Sequence, residues 1–332
     1  MTDLIDGFGR HIDYLRISVT DRCNLRCVYC MPPGGVPWKP HTDILSYEEI
    51  VRVVTAAAQL GIRKIRLTGG EPLVRRDVTA LVRAIAQIRG IDDISLTTNG
   101  VLLDKLAGPL AEAGLTRVNV SLDTLDPIKF RRITRLGEID RVWRGLEAAE
   151  RAGLRPIKLN AVVVRGVNDD ELIDLARLTI DRPWHVRFIE LMPVGNEGNW
   201  GLDFPLTPDR YFSIAEMLDR LAPLELVRTG QPIGNGPART YHIAGALGTV
   251  GFISPLGEHF CATCNRLRLT ADGRLRPCLL HDLEVPVREA VRASDGVASL
   301  IERAVTLKPH SHDLLLADAS VSHDRMMCQI GG

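Results

Sequence analysis

The sequence predicts an α/β fold in which six strand–helix units form an incomplete (β/α)6 barrel, followed by a C-terminal extension. Two observations support this prediction. Short strand-like segments alternate with helical segments through the first two thirds of the 332 residues, an order typical of a parallel sheet with right-handed crossovers. Several of the strands are also polar on one face, which indicates that this face lines a barrel rather than packing under helices.

Six strand-like and five helical segments make up the repeating pattern. The strands are predicted at YLRISV, KIRLTG, DISLTT, RVNVSL, IKLNAVVV and HVRFIEL. The helices are predicted at residues 46–60, 77–89, 103–113, 141–152 and 169–180. The first helix opens with Ser46 and Glu49, a pair that forms a capping box. Four of the helices are followed by a glycine suited to a C-cap, namely Gly61, Gly90, Gly114 and Gly153.

The polar strand faces carry more cations than acids. In the first strand, Arg16 alternates with Leu15 and Ile17, so the charged and apolar side chains lie on opposite faces. Buried charges are costly without a partner, and the excess of cations predicts an anionic ligand in the barrel. An ion-pair network with Glu71 and Asp123 is the alternative. The inward cations are Arg16, Lys64, Arg66 and Lys158; in the sixth strand, Arg187 and Glu190 lie on opposite faces.

Two segments rich in Gly and Pro interrupt the pattern, at residues 193–208 and 229–239. We therefore predict a domain boundary near Gly230, with a barrel over residues 1–230 and a C-terminal region over residues 231–332. The less periodic sequence after this boundary predicts shorter elements.

Composition excludes several classes of protein. The 41 basic and 41 acidic residues balance, which argues against a surface that binds nucleic acid. No apolar run reaches the roughly 20 residues of a membrane span, and the charged N-terminus lacks the apolar core of a signal peptide. We therefore expect a cytoplasmic protein, in which the six clustered cysteines of the seven present are metal ligands rather than disulfides.

Three cysteines follow the first predicted strand directly, in the sequence CNLRCVYC. Cys23, Cys27 and Cys30, here called the first trio, are one short of a full ligand set for zinc or for an iron–sulfur cube. Three thiolates on a cube would leave the fourth iron open for a small ligand. A zinc site with a distant fourth ligand is the alternative.

The first trio and a second motif together resemble the radical S-adenosylmethionine enzymes. The spacing C-x3-C-x2-C is followed, at the end of the second strand, by TGGEPLVRRD. The resemblance implies a radical-SAM-type barrel, a first [4Fe–4S] cluster on the trio, and S-adenosylmethionine bound at its open iron. Glu71 would bind the ammonium of the cofactor. The other implied contacts with S-adenosylmethionine are the backbone of Tyr29, Gly70, Ser121 and Met192.

A second set of three cysteines lies in CATCNRLRLTADGRLRPC. Cys261, Cys264 and Cys278, the second trio, suit either another open cube or part of a zinc ribbon. Arg266 and Arg268 point the same way if they lie on a strand. A cube beside two guanidiniums would suit a ligand with a heterocycle at one end and phosphates at the other.

The motifs taken together resemble the GTP 3′,8-cyclase family, which begins molybdenum cofactor biosynthesis. They are LRISVTDRCNLRCVYCMP, KIRLTGGEPLVRRD, LTTNG, NVSLD, RFIELMPVGN, CATCNRLRLTADG and the terminal Gly-Gly. The resemblance implies a second [4Fe–4S] cluster on the second trio and a tail that enters the active site. The implied catalytic residues are Arg266, Arg268, Gly331 and Gly332. The implied GTP contacts are Arg16, Lys64, Arg66, Thr97, Lys158, Arg266 and Arg268.

The implied reaction converts GTP to (8S)-3′,8-cyclo-7,8-dihydroguanosine 5′-triphosphate. A 5′-deoxyadenosyl radical removes the C3′ hydrogen of the ribose, and the C3′ radical then bonds to C8 of the guanine. Reduction by one electron and protonation complete the 7,8-dihydro product. The implied partners are GTP, an electron donor and a downstream cyclic pyranopterin monophosphate synthase. The sequence implies neither nucleic acid nor membrane as a partner, and leaves both a monomer and a homodimer open.

Two other functions are compatible with the cysteine pattern. One is a radical S-adenosylmethionine peptide maturase with an auxiliary cluster, although such enzymes carry more cysteines in the C-terminal part. The other is a zinc-stabilised binding protein in which both trios are structural. Cys328 lies outside both motifs and is expected to be a free thiol without a role. The residues just before Gly-Gly depart from the family pattern.

Overall fold

The computed structural model describes residues 3–192, 194, 200–201, 204–205, 209–229, 236–258, 260–312 and 325–331. Within these residues the strands join into a single sheet. The strands are β1 Tyr14–Ser18, β2 Lys64–Thr68, β3 Asp93–Thr98, β4 Arg117–Ser121, β5 Ile157–Val163, β6 His185–Glu190, β7 Val227–Arg228, β8 Arg239–His242, β9 Thr249–Ile253, β10 Arg266–Leu269, β11 Arg274–Arg276 and β12 Val285–Pro286.

The six predicted strands form the parallel centre of this sheet, which confirms the predicted barrel. The strand order is β12-β11-β10-β1-β2-β3-β4-β5-β6-β9-β8-β7. The later strands add to both edges: β10 pairs parallel with β1, and β9 pairs parallel with β6. The C-terminal part of the chain therefore extends the barrel at each side.

Ten α-helices connect and flank the strands in the described part of the chain. They are α1 Tyr47–Gln59, α2 Val78–Ala86, α3 Leu103–Glu112, α4 Pro127–Thr134, α5 Ile139–Arg151, α6 Leu172–Asp181, α7 Ile214–Arg220, α8 Arg288–Ala293, α9 Val297–Thr306 and α10 Met327–Ile330. Ser46 and Glu49 form the predicted capping box on α1. The predicted glycines after α1, α2, α3 and α5 all have positive φ. Helix α4 was not predicted.

The apolar strand face packs on the helices, as the alternation predicted. Leu15 and Ile17 of β1 are fully buried in a core that continues through Leu67, Val120 and Leu159 of the neighbouring strands. This core leaves the opposite strand face for the barrel interior, where the functional side chains lie. The barrel thus separates an apolar outer layer from a polar centre.

The predicted boundary at Gly230 lies outside the described residues and stays a prediction. None of the described helices has both the length and the apolar character of a membrane span.

Candidate active site

Both cysteine trios line one cavity at the carboxyl ends of the barrel strands, where parallel barrels place their chemistry. No three His, Cys, Asp or Glu side chains among the described residues are arranged to hold a single metal ion. Tetrahedral zinc needs its ligands to converge on one point, whereas each thiolate of a cube binds a different iron. Two groups of three thiols in one cavity are a donor set suited to iron–sulfur cubes, whose irons take Cys thiolates.

The loop that carries the first trio is held by helix α4. The backbone N–H of Arg26 donates to Thr134 O at 2.9 Å, and that of Val28 donates to Ile133 O at 3.0 Å. The Arg26 guanidinium turns back onto the same loop and donates to the carbonyl of Cys23 at 2.6 Å. These bonds fix the backbone that presents the three thiols to the cavity.

Two glycines allow the loop after β2 to pack directly on the first-trio loop. Gly69 has φ +153°, and a Cβ there would lie 2.6 Å from Thr20 O. A Cβ on Gly70 would collide with the carbonyl of Arg22. The Gly70 N–H instead donates to Thr20 O at 2.8 Å. The glycine pair therefore brings backbone to within hydrogen-bonding distance of the trio loop.

Glu71 follows this glycine pair and is almost completely buried. Its carboxylate accepts hydrogen bonds from the Leu73 N–H at 3.0 Å, the Thr98 hydroxyl at 2.7 Å and the Asn99 N–H at 2.7 Å. Burial raises the pKa of Glu71 to about 7, although these donors act in the opposite direction. The carboxylate lines the cavity beside the first trio, while its contact with the cofactor ammonium stays a prediction.

Asp123 is the second acid on this side of the cavity. It accepts a hydrogen bond from the Tyr29 hydroxyl at 2.6 Å and another from the Val162 N–H at 2.9 Å. Burial raises the pKa of Asp123 to about 6. Tyr29 lies between Cys27 and Cys30 in sequence, so this bond ties the trio loop to the end of β4. Neither Glu71 nor Asp123 forms an ion pair among the described residues, contrary to the alternative network.

The second trio lies in positively charged surroundings. Arg10 donates to Cys261 O at 2.8 Å, and the Lys308 ammonium donates to Arg266 O at 2.8 Å and to Pro277 O at 2.7 Å. Burial alone would raise the pKa of the Cys264 thiol. The positive charges of Lys308 and Arg266 outweigh this effect and lower the pKa. By contrast, burial and the nearby Glu71 raise the pKa of Cys23 to about 12.

Three arginines lie side by side across the cavity wall. Arg16 of β1 is in register with Arg66 of β2 on one side and with Arg268 of β10 on the other. We call these three residues the arginine row. Burial, and then the charges of Arg268 and Arg66, hold the pKa of Arg16 well below its ordinary value. Adjacent buried cations repel each other, so the row favours an anionic ligand.

Two polar atoms around the row indicate a polar ligand. Among the described residues, Thr97 Oγ1 and Arg187 Nε are buried without a hydrogen-bond partner, whereas buried polar groups are nearly always paired. The sequence did not identify Arg187 as a ligand contact. It lines the cavity and donates through Nη2 to Asn119 Oδ1 at 2.6 Å. Glu190 also lines the cavity, at the end of β6.

Two of the predicted GTP contacts do not line the cavity. Lys64 is a quarter exposed and forms an ion pair with Asp13 at 2.5 Å. Lys158 is buried at the start of β5, paired with Asn119 of β4. Burial and the charge of Arg187 lower the pKa of Lys158 to about 7. The predicted residues that do line the cavity are Arg16, Arg66, Thr97, Arg266, Arg268, Tyr29, Gly70, Glu71, Ser121, Met192 and all six trio cysteines.

The C-terminal tail enters the cavity. The Arg268 guanidinium donates to the carbonyl of Gly331, and a Cβ on Gly331 would lie 2.5 Å from Thr68 Oγ1. Gly332 lies outside the described residues. Cys328 is 1% exposed and lines the cavity, where it and burial raise the pKa of Cys30. The sequence did not place Cys328 at the cavity, because it belongs to neither spaced motif; that it is a free thiol without a role stays a prediction.

The barrel, the first trio and the glycine pair define a radical S-adenosylmethionine enzyme. The family model described as the Radical SAM superfamily matches residues 17–179. Solved structures of similar fold include Streptococcus suis SuiB bound to precursor peptide SuiA (TM-score 0.62, 15% identity, 97% of this chain and 77% of that chain). Another is tagged anSMEcpe with bound AdoMet (TM-score 0.55, 16% identity, 90% and 78%).

Closer relatives identify the family. The model described as Molybdenum Cofactor Synthesis C matches residues 184–314. The GTP 3′,8-cyclase of Heliobacterium modesticaldum is 52% identical over 99% of this chain and 100% of its own length. That of Pelotomaculum thermopropionicum is 53% identical over 98% and 99%. The chain belongs to the GTP 3′,8-cyclase family. Membership assigns it [4Fe–4S] clusters and S-adenosylmethionine as cofactors.

Metal content tests the two trios. We expect about eight irons per chain and no stoichiometric zinc in protein purified without oxygen, because each trio suits one cube. Cys27→Ser and Cys264→Ser should each lower the iron content, by as much as half. Cys328→Ser is the matched control and should retain all the iron. Zinc at two per chain, without iron, would contradict the cluster assignment.

Proposed function

We propose that this chain is a GTP 3′,8-cyclase that converts GTP to (8S)-3′,8-cyclo-7,8-dihydroguanosine 5′-triphosphate, the first step of molybdenum cofactor biosynthesis. One observation carries the proposal: two cysteine trios and a row of largely buried arginines line the same cavity. A radical source and an anionic nucleotide can therefore meet in one enclosed space, where the protein supplies orientation and excludes water.

The first trio is proposed to hold the cluster that binds S-adenosylmethionine. When bound, this cofactor supplies the 5′-deoxyadenosyl radical that removes the C3′ hydrogen of GTP. Glu71 and Asp123 lie on this side of the cavity, and they suit a cofactor that carries an ammonium and a sulfonium. Glu71 is proposed to receive the ammonium. Tyr29, Gly70, Ser121 and Met192 are proposed as the remaining contacts, and all of them line the same cavity.

The second trio and the arginine row are proposed to hold GTP. The guanine would bind at the open iron of the second cluster, and the triphosphate would neutralise Arg16, Arg66 and Arg268. Thr97 and Arg187 have buried atoms suited to further polar contacts. Lys64 reaches GTP only if its ion pair with Asp13 opens. Lys158 lies behind the cavity lining, so it is proposed to act on the triphosphate through its charge, from the start of β5.

Arg266 and Arg268 are proposed as catalytic residues together with the Gly331–Gly332 tail. Arg268 links the two parts, because its guanidinium lies in the arginine row and donates to the carbonyl of Gly331. In this arrangement the tail helps to fix the direction of a guanidinium that also faces GTP. A guanidinium that is already oriented needs to move less when charge develops on the substrate during the reaction, so it stabilises that charge at a lower free-energy cost.

The reaction also needs partners outside the chain. We propose a one-electron donor for the first cluster and a cyclic pyranopterin monophosphate synthase that consumes the product. We further propose that the enzyme acts in the cytoplasm, where thiols stay reduced and available to iron.

Separate assays of the two half-reactions test the proposal. Cys264→Ser removes one ligand of the second cluster and leaves the first trio intact. We expect the variant to cleave S-adenosylmethionine reductively while its cyclised product falls by on the order of tenfold or more, as expected when substrate is misplaced. Cys27→Ser should lose both activities. Cyclised product at the wild-type level from Cys264→Ser would remove the second cluster from the reaction.

The lowered pKa of Lys158 predicts a pH-dependent affinity for GTP. At pH 8 the ammonium is mostly deprotonated in the free protein, because the pKa of Lys158 is about 7. The GTP triphosphate favours the charged form, so binding should take up a proton and weaken as the pH rises above 7. Calorimetry at pH 8 in two buffers of different ionisation enthalpy should give nearly one proton per GTP. Lys158→Met should abolish this uptake; an unchanged uptake would contradict the prediction.

A further inference from the structure

The C-terminal tail is anchored by an arginine that no motif identified. Arg325 donates through Nη1 and Nη2 to Asp272 at 3.0 Å each, and its Nε lies 2.8 Å from Glu284 Oε1. Its side chain is 13% exposed, and those of Asp272 and Glu284 are 7% and 14% exposed. A guanidinium that engages two largely buried carboxylates holds a more defined position than a surface ion pair.

Asp272 connects this anchor to the loops of both trios. It lies in the turn between β10 and β11, within the segment that carries the second trio. The Lys39 ammonium lies 3.1 Å from Asp272, and the Lys39 N–H donates to Asp21 at 3.0 Å. Asp21 is two residues before Cys23, so a chain of polar contacts joins the tail, the second-trio segment and the first-trio loop.

The other end of the tail reaches the arginine row. Six residues after Arg325, the carbonyl of Gly331 accepts from Arg268. Between these two points Ile330 packs against Val194 and Leu280, and Cys328 lies buried in the cavity wall. The segment is short, so a displacement of Arg325 would move the carbonyl that orients Arg268.

We propose that Arg325 is a positioning residue: its clamp on Asp272 and Glu284 sets where Gly331 meets Arg268. Its effect on GTP, though not the clamp itself, rests on the proposed function. The rival explanation is that the apolar contacts of Ile330 hold the tail without help. In that case, loss of Arg325 would leave the tail in place.

Cys328 reports the position of the tail directly. In cluster-loaded protein the six trio cysteines are bound to iron, and Cys328 is the buried free thiol on the segment in question. We expect Arg325→Ala to raise the rate at which N-ethylmaleimide alkylates Cys328 at least tenfold. This rate is measured by mass spectrometry of the C-terminal peptide. Arg325→Lys should give an intermediate rate, because an ammonium keeps the charge but not the two-sided geometry.

The matched control is Arg292→Ala. Arg292 pairs with Glu49 at 2.8 Å on α1, away from the tail, and its loss should leave the alkylation rate unchanged. If Arg325→Ala fails to retain iron, Glu284→Gln replaces it, with a severalfold increase expected. Wild-type alkylation rates in both variants would overturn the clamp.

The consequence for the reaction is measured separately. We expect Arg325→Ala to produce severalfold more 5′-deoxyadenosine per cyclised product than the wild type, with rescue toward the wild-type ratio in Arg325→Lys. Faster alkylation with an unchanged ratio would overturn the positioning role. If the wild type itself formed no cyclised product from GTP, the proposed function would fail, and the alkylation rates would still decide the clamp.

Discussion

The parallel pairing of β10 with β1 is the interaction on which the rest of the site depends. It attaches the segment between the cysteines of the second trio to the edge of the barrel, beside the strand that leads into the first trio. Through the same register, Arg268 comes to lie next to Arg16 and completes the arginine row. A shift of one residue would turn Arg268 to the other face of the sheet, and would separate it from both Arg16 and the tail. One strand pair thus joins two cysteine motifs that are more than 200 residues apart in sequence.

The two sides of the cavity differ in charge, in the way that the two proposed ligands require. Buried acids lie beside the first trio, and together with burial they raise the pKa values of Cys23 and Cys27. Cations surround the second trio, where Lys308 and Arg266 lower the pKa of Cys264 against the effect of burial. A cationic sulfonium is favoured on the first side and an anionic nucleotide on the second. The electrostatic field of the cavity therefore directs the cationic cofactor to the first trio and the anionic nucleotide to the second.

Much of the barrel was predictable, because local signals and tertiary structure agree there. The capping box at Ser46 and the glycines after the helices marked the helix ends, and the alternation in β1 and β2 identified the inward arginines. The strands β9 and β10, which flank the six-stranded centre, were not predicted, since the strands they pair with lie far away in sequence. Lys64 lies on the expected face of β2 but at the first residue of the strand, where it forms an ion pair with Asp13. The alternation of polar and apolar residues along a strand predicts which face of the sheet a side chain lies on, but not how deep in the barrel it lies. It carries no information about Cys328 or Arg325, which lie outside the strands.

The proposed reaction requires an iron without a protein ligand in each cluster, one for S-adenosylmethionine and one for the purine of GTP. Electron–nuclear double resonance on the reduced enzyme tests it most directly, with 15N in the cofactor amino group or in the guanine ring. Both labels should give nitrogen coupling. The first coupling should vanish in Cys27→Ser and the second in Cys264→Ser. Two cubes that couple to neither label, because protein side chains bind all of their irons, would contradict it.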